Sequence, residues 1–192
     1  MFFSATMLPP LFVSVFYQDG AHAIFIKAAA VIFASGFSLW LLFRRFTEAL
    51  RTKDGFLVTV LCYITLGCFS ALPFTDSPNT ALSLVDALFE SFSGLTTTGA
   101  TVMVGLESLP QSLLYYRQQL QWLGGMGIIV LAVAVLPMLG IGGMQLYRTE
   151  TPGPVKDSKL TPRIKQTAMA LWSIYLSLTI ACCLGYWVAG MS

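Results

Sequence analysis

Long apolar runs separated by short polar breaks dominate the chain, and their spacing predicts a series of membrane helices. Met1 to Tyr17 is apolar with a Pro9-Pro10 pair, marginal against the roughly 20 residues that cross a bilayer. Gln18-Asp19-Gly20 predicts a turn, and Ala23 to Phe43 a second span. A third span is expected from Gly55 to Phe74, ended by Pro73. The polar segment Thr75 to Thr80 follows, with Pro78 and Asn79 as turn residues. Leu82 to Phe92 is then a short apolar piece, about half the length a span requires. A second polar stretch, Glu107 to Gln121, leads into a fourth span from Trp122 to Leu139, where Pro137 predicts a kink near the inner end. Thr149 to Pro154 reads as a loop, and Thr161-Pro162 as an N-cap followed by proline at the first helical position. A fifth span is expected from Thr167 to Val188.

Composition agrees with a lipid environment. Of 192 residues, 56% are hydrophobic and only 10% charged, against about 25% charged in soluble domains. The net charge of +2 does not point to nucleic acid, because the basic residues are not spread over a surface. Nine of the eleven Lys and Arg residues fall in two blocks: Arg44, Arg45, Arg51 and Lys53, then Arg148, Lys156, Lys159, Arg163 and Lys165. The blocks share one side of the membrane only if Leu82 to Phe92 enters and returns, and the positive-inside rule makes that side cytoplasmic. Length and charge together therefore predict a re-entrant segment entering from outside. The expected fold is an all-α integral membrane protein with about five transmembrane helices, one re-entrant pore helix and a filter loop.

The N-terminus lacks a basic n-region and a small-residue cleavage site, so a membrane helix is expected from the first residues rather than a signal peptide. Lys27 and Arg117 lie near outer ends of spans; both fit snorkelling to the headgroups, and Arg117 also fits a contact at a pore mouth. Cys62, Cys68, Cys182 and Cys183 lie in apolar runs without CxxC spacing, which reads as small buried apolar residues rather than a metal site or disulfide framework. No catalytic constellation accompanies the single histidine, His22, so no enzyme is expected. Gly140-Ile141-Gly142-Gly143 superficially resembles a dinucleotide fingerprint but follows a span rather than a strand. Gly124-Gly125-Met126-Gly127 opens the fourth span, and small residues there predict close packing beside the pore helix.

The informative run is Asp86 to Thr101. Non-helical backbone is tolerated at membrane depth only inside protein or along a water-filled path, so a short helix followed by Thr-Thr-Thr-Gly implies a lumen. A helix entering from outside points its partially negative C-terminal end toward the membrane centre. Carbonyls of an extended strand can replace an ion's hydration shell, and Gly99 permits the backbone angles that aim them. No carboxylate is needed at the ion, which suits a weakly hydrated monovalent cation more than a divalent one. Asp86 lies near the helix start, where a carboxylate favours the dipole. Glu90, four residues on, is a candidate for bracing the filter backbone; the competing reading is a solvated vestibule face.

The runs FESFSGLTTTGATV, YRQQLQWLGGMGIIVLAVAVLPMLGIGGMQLYR and ETPGPVKDSKLTPRI, with RTKDGFL upstream, resemble the TrkH membrane subunits of bacterial Trk potassium uptake systems. The resemblance implies four membrane–pore–membrane repeats around one pore, preceded by two additional helices. Residues 1–54 would hold those two helices, 55–148 the first repeat with its pore helix from Leu82 to Ser93, and 149–192 a cytoplasmic loop and the first helix of an incomplete second repeat. Thr97, Thr98 and Gly99 would be the potassium-binding positions, supported by Glu90, Thr96 and Ala100. The resemblance further implies potassium as the transported ion and a multi-pass protein in the bacterial inner membrane. Expected partners are a cytosolic nucleotide-binding regulatory subunit and, for the full-length form, a second copy of itself. Simple flow and coupling to protons or sodium both stay open. One strand of four is not expected to close a pore alone, and the alternative reading is a truncated, non-conducting fragment with an assembly role.

Overall fold

The structure, a computed structural model, describes residues 2–45, 52–76, 82–135 and 160–190, and of 52–56, 128–135 and 160–165 the backbone alone. Every regular element among the described residues is helical. A 3-10 segment, Phe2–Met7, leads into α1, Leu8–Tyr17, and α2, His22–Phe43. Then come α3, Thr52–Ser70, the short α4, Leu72–Thr75, and α5, Leu84–Leu95. A 3-10 turn, Leu106–Ser108, precedes α6, Gln111–Val135, and α7 covers Leu160–Val188. Residues 1–125 and 126–192 form two compact units.

Among the described residues three helical stretches are long and apolar enough to cross a membrane: His22–Phe43, Leu57–Thr75 and Gln166–Val188. The 22 residues of the first rise about 33 Å at 1.5 Å each, the thickness of a hydrocarbon core. The first predicted span differs in form: it is a 3-10 turn joined to a ten-residue α-helix. Pro9 and Pro10 sit in the first turn of α1, where a missing N–H costs no hydrogen bond. The helix that carries the start of the fourth predicted span already begins at Gln111, eleven residues before Trp122. Pro162 lies inside α7, which is already helical at Leu160, so Thr161 is not its N-cap. Pro137, the Gly140–Gly143 run and most of the second basic block lie outside the described residues.

The core of the first unit forms where α2, α4 and α6 meet. Ile24, Phe25, Ala28 and Ile32 make one buried stripe on α2, while Phe33, Phe37 and Trp40 are exposed apolar residues, as a lipid-facing side requires. Pro73 explains the break between α3 and α4. The Phe74 amide, which would have bonded Ser70 in a continuous helix, bonds the Ala71 carbonyl at 3.0 Å instead. The freed Ser70 carbonyl accepts from the Tyr116 hydroxyl at 3.0 Å. Tyr116 is fully buried, with its ring 5.7 Å from Phe25 and 5.4 Å from Phe74.

The cysteines are a correction. All four are exposed in this chain, because membrane helices turn apolar side chains outward as well as inward. Lys27 makes a surface ion pair with Asp76 at 2.6 Å, of the kind that contributes about 0–1 kcal/mol.

Asp19 ties the α1–α2 turn to the start of α6. One carboxylate oxygen accepts from the Ser14 hydroxyl and from the Ala21 amide at 3.1 Å, and the other from the Ser112 amide at 3.0 Å. Burial pushes the Asp19 carboxyl up, but hydrogen bonds from Ser112, Ser14 and Ala21 outweigh it and hold the group below its ordinary value of 3.8. A depressed carboxyl stabilises the fold fully above its unfolded value, and that contribution is lost as pH falls through the lower folded value. Asp19→Ala is expected to cost about 2 kcal/mol at pH 7 and to cost progressively less in acid below 3.8. Thermal unfolding of the detergent-solubilised chain at several pH values checks this, and equal midpoints at pH 7 would remove Asp19 as a clamp.

Candidate functional site

α5 is short because both ends are capped by its own sequence. At the N-terminus the Ser83 hydroxyl accepts from the Asp86 amide at 3.2 Å and donates to the Asp86 carboxylate at 2.7 Å, so Asp86 serves the cap and the helix dipole together. At the C-terminus the Thr98 amide reaches back to the Ser93 carbonyl at 3.0 Å and the Thr97 amide to Gly94 at 2.9 Å. That pair of bonds is a Schellman motif, which places its C′ residue in the left-handed region. The C′ residue is Thr97, with φ +59°, where a β-branched side chain costs about 1–2 kcal/mol. Gly99 follows at φ +73°. Two left-handed residues within three positions turn the chain back on the helix end.

Beyond this turn the loop is suspended from a buried carboxylate. Glu90 is 1% exposed. Its Oε1 accepts from the Thr101 hydroxyl, the Val102 amide at 2.6 Å and the Met103 amide at 3.3 Å. Its Oε2 accepts from Arg117 Nε at 3.0 Å. Arg117, 9% exposed, also donates from Nη2 to the Gly99 carbonyl at 3.2 Å. The Ser93 hydroxyl donates to the Ala100 carbonyl at 2.7 Å. Thus the Gly99 and Ala100 carbonyls each have a donor. Among the described residues no donor reaches the Thr97 or Thr98 carbonyl. Thr96 to Val102 are exposed, and burial resumes at Met103.

Glycines let the supporting helices reach the turn. A Cβ on Gly124 of α6 would lie 2.2 Å from the Leu95 carbonyl oxygen, and one on Gly94 would lie 3.1 Å from Leu120 Cβ. On the other side, the Ser91 hydroxyl donates to the Gly67 carbonyl of α3, and a Cβ on Gly67 would meet the Phe92 ring at 2.4 Å. The Gly124–Gly127 run predicted to pack beside the pore helix thus meets its C-terminal backbone at Gly124.

The structure brings the predicted site residues into one turn. Thr97, Thr98 and Gly99 form its tip. The Thr96 hydroxyl donates to the Phe92 carbonyl at 2.8 Å and lies 2.9 Å from the Thr98 hydroxyl, while Ala100 is held by Ser93. Glu90 lies under the loop and is not a solvated face. Arg117 is buried in an ion pair, which replaces the snorkelling reading. Sequence reasoning did not single out Ser93 or Thr101. The signal available for them was their position one turn after Glu90 and two residues after Gly99. One side of α5 forms an apolar groove with Val85, Phe89 and Phe92, opening at Thr96 and Thr98.

Comparison with known proteins adds a family context. The family model TrkH, described as a cation transport protein, matches residues 21–191. The Trk system potassium uptake protein TrkH of Vibrio parahaemolyticus serotype O3:K6 is 58% identical over 99% of this chain, covering 39% of the relative. TrkH of Escherichia coli K12 is 56% identical over 98% of this chain and 39% of its own length, and TrkG of that strain 47% over the same shares. The crystal structure of the potassium transporter TrkH from Vibrio parahaemolyticus superposes with a TM-score of 0.84 at 51% identity, covering all of this chain and 37% of that one. The chain therefore spans about two fifths of the length of these relatives.

Proposed function

The chain belongs to the TrkH family of cation transport proteins, and from that premise we propose that it supplies one selectivity-filter strand to a potassium uptake pathway in the bacterial inner membrane. The observation that carries this reading is the pair of undonated carbonyls on Thr97 and Thr98, at the tip of a loop held on an ordered scaffold. Carbonyls in that state at membrane depth are costly unless water or a cation meets them, and rings of such carbonyls are what replaces the hydration shell of potassium. On this reading Thr97 and Thr98 are the ion-facing positions. Gly99 is the hinge between them and the tethered part of the strand, its own carbonyl taken by Arg117.

The chemistry asked of the chain is binding and exclusion. The last turns of α5 use their carbonyls internally, with Phe92 accepting from Thr96 and Ser93 from Thr98, so the helix contributes its field rather than direct ligands. One strand supplies one side of an ion cage, and the remaining ligands come from other repeats of the complete transporter. The apolar groove along α5 fits the face those repeats would cover. A cytosolic nucleotide-binding subunit and a second copy of the complete transporter are the proposed partners.

The functional test is complementation. A complete subunit in which this chain replaces the matching segment of the Vibrio relative is expected to restore growth of a potassium-uptake-deficient strain on limiting potassium. Failure at normal membrane abundance defeats the reading. Sidedness is a separate prediction, made from the two basic blocks. Ser108→Cys should react with an impermeant maleimide in intact cells, and Thr52→Cys and Ser158→Cys only after permeabilisation. Labelling of position 158 in intact cells would overturn the re-entrant topology.

A further inference from the structure

We infer that Arg117 is a positioning residue for the filter strand, acting as one half of a neutral pair with Glu90 that holds the Gly99 carbonyl away from the ion and leaves the Thr97 and Thr98 carbonyls to it. The inference rests on the potassium reading for its consequence, but its geometry stands apart from transport. Arg117 uses two nitrogens of one planar group: Nε binds Glu90 Oε2 at 3.0 Å and Nη2 binds the Gly99 carbonyl at 3.2 Å. A guanidinium held at two points cannot rotate without breaking one of them. Glu90 is pinned in turn, because its other oxygen takes the Thr101 hydroxyl and the Val102 and Met103 amides. Helix α5, the loop and helix α6 are therefore joined through a single buried pair, 27 residues apart in sequence.

Charge explains why both members are needed. A guanidinium one hydrogen bond from a filter carbonyl would repel a cation arriving at the neighbouring carbonyls. Glu90 is buried beside it and cancels the charge locally, so the arginine can orient backbone without closing the path to cations. Lysine at 117 would keep the charge but offers one ammonium in place of a fork, and cannot hold both partners in this geometry. Position and charge are thus separable by substitution.

Two measurements test the inference. In the first, this chain in lipid nanodiscs is followed by amide hydrogen exchange. Arg117→Lys and Arg117→Gln are expected to speed exchange at Val102 and Met103 at least tenfold relative to the amides of Tyr116 and Leu120; unchanged protection in both overturns the positioning role. In the second, the complete chimeric subunit is assayed for rubidium uptake and sodium competition at matched membrane abundance. Arg117→Lys should lower discrimination against sodium at least fivefold. Glu90→Gln, which leaves an unbalanced positive charge, should lower the uptake rate at least tenfold. The double variant Glu90→Gln with Arg117→Gln should regain at least threefold of that rate while discrimination stays low. A double variant no faster than Glu90→Gln overturns the charge-balance part, and an Arg117→Lys subunit with unaltered discrimination overturns the assignment. An unsubstituted chimera without uptake defeats the potassium reading instead, and the exchange measurement then decides the positioning role.

Discussion

Gly99→Ser is expected to lower discrimination of potassium from sodium about tenfold in a complete subunit while membrane abundance is kept. The reason is backbone rather than space. Gly99 sits at φ +73°, where an L side chain costs about 1–2 kcal/mol. A Cβ there would meet Gln121 Nε2 at 3.4 Å, an ordinary contact. The strand already carries the same strain at Thr97, φ +59°, and relaxing Gly99 toward negative φ would swing its carbonyl off Arg117 and move the Thr98 carbonyl with it. A free-energy change of about 1.4 kcal/mol in the ion-binding difference is tenfold, so a shift of this size is enough. Gly99→Ala should behave like Gly99→Ser, because strain and not polarity is the cause. Thr98→Ala should do less, since its carbonyl survives. The measurement is growth on limiting potassium with sodium as competitor. If Gly99→Ser and Gly99→Ala both match the unsubstituted subunit at equal abundance, Gly99 is an ordinary loop glycine and the filter assignment falls.

Gly124→Ala acts on folding instead. The added carbon would lie 2.2 Å from the Leu95 carbonyl oxygen, 2.8 Å from its carbon and 3.0 Å from Leu95 Cα. All three are backbone atoms at the end of α5, so no side chain can rotate away. Helix α6 must retreat by about 1 Å to restore normal contact, and overpacking of this kind costs about 3 kcal/mol. The retreat also pulls Arg117 from Glu90, and breaking a buried pair costs about 3–5 kcal/mol where it is complete. Membrane abundance and thermal midpoint of the chain should both fall. Gly67→Ala is a graded comparison, because the Phe92 ring it meets at 2.4 Å is a side chain that can move. Gly185→Ala, inside α7 with nothing within 4 Å, should not lower the midpoint, because alanine favours a helix over glycine. A Gly124→Ala chain as stable as the Gly185→Ala chain would show that α5 and α6 do not meet at this point.

The two substitutions differ in how far the sequence foretold them. Gly99 stood out because a glycine after three threonines and a half-length helix is a local pattern with a local reason. Gly124 was legible only as a member of a small-residue run; which glycine touches which backbone is decided by the crossing of two helices. The first turns of α6 were not foreseen for a related reason. Glu107 to Gln121 is polar, and hydropathy marks it only as a stretch that precedes a span. Gln111 to Gln121 is nevertheless helical, and some of its polar groups find partners inside the protein. Arg117 meets Glu90 and Gly99, and Gln119 Nε2 meets the Thr6 carbonyl at 2.8 Å. A hydropathy pattern cannot tell polarity that faces water from polarity satisfied by a distant segment.

By itself the sequence determined the class of protein, the apolar runs that form α2, α3 and α7, the half-length of α5, and the small group of residues at its end. These follow from properties that act along the chain: the thickness of a bilayer, the placement of charge, the turn-forming residues. The tertiary structure alone decided that Glu90 is buried and shared among four donors, that Arg117 is its partner rather than a headgroup anchor, and that the cysteines face outward. It also decided that Thr97, a residue local preference keeps out of the left-handed region, occupies it at φ +59°. The physical reason is common to all of these. A buried charge, a strained turn and a helix crossing persist only where groups far apart in sequence over-determine them, and that information lies in the contacts rather than in any one stretch of chain.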